Sequence, residues 1–384
     1  MVVVPARMGR LNRRALLQRL QRLGTATRAE LAKSLGLSQP TTGKIVGDLL
    51  ELGILQEIDV AELASERSTS TRLGRPGRAL GLHRAQPRFI GIHVGISETG
   101  LAPLTLWVGQ DEEWPIRFPT PASAEAWRAQ LADAAPRLGS SGWWGVLISL
   151  PGIVEEPMAR VVFSPNLHWT EQADLKALIQ QVWPVPVVVV QEERTLAHGH
   201  HATVPEADDF LLVDFGEGVG GAAIIGGQPF TTSLPLSGEL GHVPVLGNQR
   251  RCGCGAIGCV ETLVSYRGLL DSFADAEPGQ PPSWADFTAS LASPRALPLW
   301  LQHSLDATAA VIAGALNVLG LREVVITGSL AELPPAVVDH LARGITRGAM
   351  WARFGQVTVT PAPRRRAAGL VAAGIDRIVV AMNK

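Results

Sequence analysis

The chain has 384 residues, 46% of them apolar, and 34 Lys/Arg nearly balance 35 Asp/Glu for a net charge of −1; that length exceeds one ordinary core and predicts two or three domains. Its apolar runs, such as Val185 to Val190, are far shorter than the roughly 20 residues needed to cross a bilayer. The opening Met1 to Arg7 lacks a signal peptide's long apolar stretch and reads as a ragged terminus, so no transmembrane helix is expected and a cytoplasmic protein is.

The charge is unevenly placed. Residues 1–84 hold 14 Lys/Arg against 7 Asp/Glu, and the remaining 300 hold 20 against 28. A basic head on an acidic body suggests a polyanion-binding module joined to something else.

Leu16, Leu20 and Leu23 recur at helical spacing over about Asn12 to Leu23, with Gly24 as a stop. Thr27-Arg28-Ala29-Glu30 is a capping box for a second helix, which buries Leu31, Ala32 and Leu35 and ends at Gly36. Ser38 caps a third helix that tolerates Pro40 in its first turn and carries Ile45, Val46, Leu49 and Leu52 as an apolar stripe. Two short helices joined by a tight turn match the helix-turn-helix pattern, so residues 1–84 are expected to bind double-stranded operator DNA. Gln39, Thr41 and Thr42 are expected nearest the base edges, Gln39 with the geometry to read adenine, and Lys44 is expected at phosphate or guanine. Leu55 to Ile58 and Ala79 to Leu82 read as two strands. The loop between them ends in an Arg-rich wing and linker, whose Arg72, Arg75 and Arg78 are expected to follow phosphates or enter a minor groove.

Beyond residue 84, strand-like stretches alternate with helical ones. The strands are Phe89 to Ile96, Trp144 to Leu150, Pro186 to Val190, Phe210 to Phe215, Ala222 to Ile225 and Glu323 to Thr327; the helices include Leu301 to Leu319 and Ala367 to Val380. That alternation argues for an α/β body. All three cysteines, Cys252, Cys254 and Cys259, fall within eight residues, and His242 lies ten before the first. Three thiolates and an imidazole are a complete tetrahedral set for structural zinc, with no open position for hydrolytic chemistry. Clustered thiols of this kind suit metal binding in a reducing compartment better than disulfides.

The segments Gly74-Arg75-Pro76, Ser164-Pro165-Asn166-Leu167-His168-Trp169, Gly238-Glu239-Leu240-Gly241-His242 and the Cys252-to-Glu261 run together give the chain a resemblance, over nearly its whole length, to the ROK family of sugar kinases and sugar-responsive repressors. The resemblance implies an actin-like (ribonuclease H-like) two-lobed ATPase-type fold over 85–384, preceded by a winged helix-turn-helix domain. One lobe is expected at about 85–192 plus the C-terminal helix, the other at about 193–366. It also implies a sugar pocket built from Asn166, Glu239, His242 and Glu261, with Glu192 at the position of the kinases' catalytic Asp. His242 can serve both metal and sugar only by using one ring nitrogen for each.

Against the kinase pattern, three parts depart together. His93-Val94-Gly95-Ile96-Ser97 stands where an Asp-x-Gly-Gly-Thr loop would wrap phosphate. Glu217 replaces the hydroxyl donor of the second phosphate loop; at about 4 Å two like charges repel by roughly 4 kcal/mol at an effective dielectric of 20. Glu192 is one methylene longer than Asp. No catalytic residue is therefore expected, and phosphoryl transfer is expected to be lost. Arg194 is expected either to take an acidic or phosphorylated ligand or to pair with Glu192 or Glu193. The leading expectation is a sugar-responsive transcriptional repressor, a homodimer or homotetramer, with an ATP-dependent sugar kinase as the alternative and a transport-system protein as a further partner.

Overall fold

The computed structural model describes residues 5–58, 78–107, 113–139, 142–204, 206–277, 283–292 and 296–382. Helix α1 (Pro5–Leu23) begins earlier than its apolar stripe. Strand β1 (Thr25–Thr27), helices α2 (Arg28–Leu35) and α3 (Gln39–Glu51), and strands β2 (Leu55–Ile58) and β3 (Ala79–Leu82) follow. The capping box on α2 is formed, Gly36 closes that helix at φ 63°, and the Ser38 side chain accepts a hydrogen bond from the Thr41 amide. β3 lies between β1 and β2, antiparallel to both; the sequence pattern had not revealed β1. This is a winged helix-turn-helix.

The body holds two five-stranded sheets of one topology. The first joins β4 (Phe89–Val94), β5 (Glu98–Leu104), β6 (Ile116–Pro119), β7 (Gly145–Leu150) and β10 (Val187–Gln191) in the order β10-β7-β4-β5-β6. Its first three strands form an antiparallel meander, and β7 and β10 then add in parallel. The second joins β11 (Phe210–Phe215), β12 (Val219–Ile225), β13 (Gln228–Pro229), β14 (Glu323–Gly328) and β15 (Thr358–Pro361) in the order β13-β12-β11-β14-β15, with the same meander and parallel additions. A small hairpin, β8 (Ile153–Glu155) with β9 (Arg160–Phe163), projects from the first sheet's end. Two such sheets, each backed by helices, make the two-lobed actin-like architecture expected from the sequence.

The lobes meet where the helix Glu192–Thr203 crosses the C-terminal helix Arg366–Arg377. The crossing is backbone on backbone: a Cβ at Gly369 would lie 1.8 Å from the Thr195 carbonyl oxygen, and one at Gly199 1.9 Å from that of Arg365. Only glycine permits that approach. The C-terminal helix also carries the DNA-binding head. Leu16, Leu17 and Leu20 of α1 share one continuous core with Leu370, Val371, Ile375 and Val379. Around that seam Arg14 pairs with Asp376 at 3.2 Å, Arg22 with Asp208 at 2.7 Å, and the Gln21 amide donates to the Ala368 carbonyl. No helix among the described residues is long and apolar enough to cross a membrane.

Candidate functional site

A cleft of about 820 Å³ opens between the lobes. Asn166, Glu192, Glu239, His242 and Glu261, separated by up to 95 positions in sequence, all line it. The Asn166 loop follows β9. It is held by the Glu171 carboxylate, which accepts from the Ser164 amide at 2.9 Å, and by the Ser164 hydroxyl, which donates to the Pro151 carbonyl at 3.1 Å. Asn166 faces the cysteine loop across the cleft: a Cβ at Gly253 would meet the Asn166 Oδ1 at 3.9 Å and Pro165 at 3.6 Å. Glu261 opens a short helix, and its Oε2 accepts from the Val219 amide at 2.8 Å. Burial, with the Glu261 carboxylate nearby, pushes the Glu239 carboxyl above its ordinary range despite His242.

His242, Cys252, Cys254 and Cys259 offer one ligand atom each, all within 4.8 Å of one another. Cys254 Sγ and Cys259 Sγ are 3.7 Å apart, and Cys252 Sγ is 3.6 Å from His242 Nδ1. Thiolates at about 2.3 Å and an imidazole at about 2.0–2.1 Å around one tetrahedral ion give edges of roughly 3.6–3.8 Å. The four residues therefore fit a metal ion. Burial is the main influence pushing the Cys252 and Cys259 thiols up, with neighbouring sulfur and Glu261 adding to it; a cation among them acts the other way. His242 turns Nδ1 to the cysteines and Nε2 to Glu239 at 3.8 Å.

Glu192 is held by three side chains. Its Oε1 accepts from Arg366 Nε, its Oε2 accepts from the Ser149 hydroxyl at 2.6 Å, and His93 Nδ1 stands 3.4 Å away. Burial opposes its ionisation, but the Arg366 guanidinium, with His93 and Ser149, overcomes that and holds the carboxyl well below its usual value. The neighbouring Glu193 has no such partner. Burial, with the Glu192, Glu239 and Asp214 carboxylates, pushes it up to about 8, and its Oε2 has no hydrogen-bond partner among the described residues. Arg364 grips Asp214 through two bonds of 2.7 and 2.9 Å. It fills the space beside Gly216 and Gly328, where a Cβ on either glycine would meet its NH2 at 2.6 Å. Glu217 is exposed in the same cleft. Sequence reasoning missed Arg364 and Arg366; both stand more than 140 positions from their partners, and no local pattern marks such a pair.

Two expectations are corrected here. Arg194 pairs with neither Glu192 nor Glu193: it lies 3.4 Å from Glu156 and donates to the Ser237 hydroxyl at 3.1 Å, because at the start of its helix it points away from the cleft carboxylates. Thr42, expected at base edges, is fully buried; it lies four and seven residues before Val46 and Leu49, on the same inward stripe of α3. Gln39 and Lys44 are exposed and Thr41 is half-buried at the same helix's start. Arg78 is exposed and paired with Glu57 of β2. Arg72 and Arg75 lie outside the described residues.

The ROK family model matches residues 91–375, and a winged helix-turn-helix DNA-binding model matches residues 10–56. A putative xylose repressor of Caldicellulosiruptor sp. is 26% identical over 270 residues, covering 68% of this chain and 65% of that one. The chain's match thus spans slightly less than two thirds of that relative's length. An N-acetylmannosamine kinase of Citrobacter koseri is 29% identical over 274 residues, 69% of this chain and 92% of the kinase. In fold, the chain is similar to the crystal structure of a ROK family transcriptional regulator described as a homolog of the E. coli MLC protein, with TM-score 0.71, 21% identity and 97% of both chains covered.

Proposed function

The chain belongs to the ROK family, and from that premise we propose that it is a transcriptional regulator, a repressor, that binds operator DNA through its N-terminal domain and a sugar or sugar derivative in the interlobe cleft. The observation that carries this reading is the single core joining α1 to the C-terminal helix, because it ties the DNA-reading head rigidly to an element that also reaches the cleft. The matched repressor relative supports the same choice.

The coupling follows from the residues. Arg366 opens the C-terminal helix and bonds Glu192 in the cleft; Ala368 and Asp376, further along it, bond Gln21, Gln18 and Arg14 of α1. A ligand that engages Glu192, or that draws Asn166 toward Glu239 and Glu261, changes how the C-terminal helix sits between the lobes. The head moves with it. In a homodimer, two recognition helices reach one DNA face only when about 34–36 Å apart or at multiples of that spacing, so a small rotation releases the operator. Ligand need only bind the released conformation better.

The metal site holds zinc in this reading, through His242, Cys252, Cys254 and Cys259. Bound there, the ion supplies structure to the loop facing Asn166 and fixes the tautomer of His242, whose Nε2 is then a donor toward the cleft. Gln39, Thr41 and Lys44 read or hold DNA from the start of α3, with Arg72, Arg75 and Arg78 on the wing. Such a protein works in the cytoplasm, where its DNA is.

Phosphoryl transfer is lost in this reading. The carboxylate at the base position is held by Arg366, Arg364 occupies the space between Gly216 and Gly328, and Glu217 repels phosphate. Incubation with magnesium ATP and a panel of hexoses, pentoses and amino sugars should yield no sugar phosphate, while the same preparation leaves a footprint on the promoter of its own gene. Turnover without a footprint would overturn the proposal in favour of a kinase.

A further inference from the structure

The cleft is larger than one sugar ring requires. Pockets of roughly 300–1,000 Å³ enclose ligands of drug size, and this one measures about 820 Å³. The residues proposed to hold a sugar occupy one part of it. The part toward β4 and β5 is built from different groups, and none of them has been given a task.

Trp114 is its floor. Gly91 and Gly100 lie on one face of the first sheet, on adjacent strands, since Gly91 pairs with Ala102 and His93 with Gly100. A Cβ at Gly100 would lie 3.3–3.5 Å from the Trp114 side chain, and one at Gly91 3.5 Å from the far edge of the indole. The two glycines thus form a flat backbone seat for the ring. The side chain is half-buried and borders the cleft. Beside it, Arg117 Nε donates to the Trp114 carbonyl at 3.1 Å, and Arg117 NH1 bonds Glu98 at 3.0 Å. Both charged side chains line the cleft and remain about half exposed.

A flat aromatic face flanked by a guanidinium and a carboxylate is what a pyranose ring calls for. Its C–H face is apolar and slightly positive, suited to the negative face of an indole. Its rim of vicinal hydroxyls both donates and accepts, suited to planar bidentate partners. His93 links this place to the first, with its ring centroid 6.1 Å from that of Trp114 and its Nδ1 3.4 Å from Glu192.

We propose that Trp114, Glu98 and Arg117 form a second sugar subsite, so that the ligand of this cleft is a disaccharide or longer oligosaccharide that lies from Glu239 and Glu261 past His93 onto Trp114. The inference rests on the sugar-sensing reading above.

Calorimetric titration of the intact protein with xylobiose, cellobiose, maltose and chitobiose, each beside its monosaccharide, tests it. One disaccharide should bind at least about tenfold more tightly than its own monosaccharide, the scale of one aromatic contact. Trp114→Ala should erase that preference and leave monosaccharide affinity unchanged, while Trp114→Phe keeps most of it. Should Trp114→Ala fail to fold, Arg117→Ala on the exposed rim reads the same loss. A monosaccharide that binds as tightly as every disaccharide, or a preference that survives both alanine variants, would overturn the second subsite and leave sugar sensing intact. Failure of every saccharide to bind would overturn both.

Discussion

At the scale of single residues, the cleft separates two adjacent glutamates by their surroundings. Glu192 has Arg366, Ser149 and His93 around it and is held ionised; Glu193 is buried among carboxylates, with a backbone hydrogen bond as its main counterweight. Arg366→Ala leaves a buried carboxylate without its cation, and breaking such a pair costs about 3–5 kcal/mol. Urea denaturation at pH 7 should show a loss of that order, and the loss should shrink as pH falls below 4.5, because the depressed carboxyl contributes stability only while the unfolded chain's is ionised. Glu193 works in the opposite sense. A carboxyl raised to about 8 binds its proton more tightly when folded, so it lowers stability as pH climbs from about 4.5 to 8. Glu193→Gln should therefore melt higher than the parent at pH 8, with the gap closing toward pH 4.5. A constant gap across that range would show that Glu193 titrates normally. The family resemblance set Glu192 at the kinases' base position, but nothing in the sequence pointed to its bond with Arg366: a contact between residues 174 positions apart leaves no trace in local spacing.

At the scale of elements, legibility followed how local each signal is. The cluster of His242 with the three cysteines was readable because its four residues fall within 18 positions, and caps such as Thr27 and Ser38 act over three. The first turns of α1 were not readable, because Met8 and Leu11 are exposed and the buried stripe begins only at Leu16. β5 was hidden by Pro103, which the fold accommodates where β6 has already ended opposite Leu101. Thr42 was misplaced because a hydroxyl on an inward stripe looks polar in the sequence. Lys44 remains exposed on α3. Lys44→Ala should weaken binding to the promoter about uniformly across sequence variants and lower the slope of log Kd against log salt by about 1; an unchanged slope would remove Lys44 from the phosphate contacts. The metal loop predicts a second loss. Since it faces Asn166, Cys254→Ser or chelation should lower both the melting temperature and the affinity for sugar. Full sugar affinity in metal-free protein would separate the loop from the pocket.

Across the whole molecule, one topology occurs twice. Each sheet is a meander with two parallel strands added, and the lobes are joined by two helices crossing at Gly199 and Gly369. The DNA-binding head is not hung from this hinge by a loose tether. It shares a core with one of the crossing helices through Leu16, Leu17 and Leu20, which is why the proposed coupling runs through α1. The crossing of the two helices, the lobes and the N-terminal domain thus meet at one seam. The account's central claim is the coupling between cleft and head. Its most direct test is the Kd for the promoter of the protein's own gene, measured by fluorescence anisotropy with and without the saccharide that calorimetry shows to bind most tightly. The account predicts a Kd raised at least about fivefold by saturating sugar, the lower end of allosteric couplings. An identical Kd with the cleft demonstrably filled would contradict it.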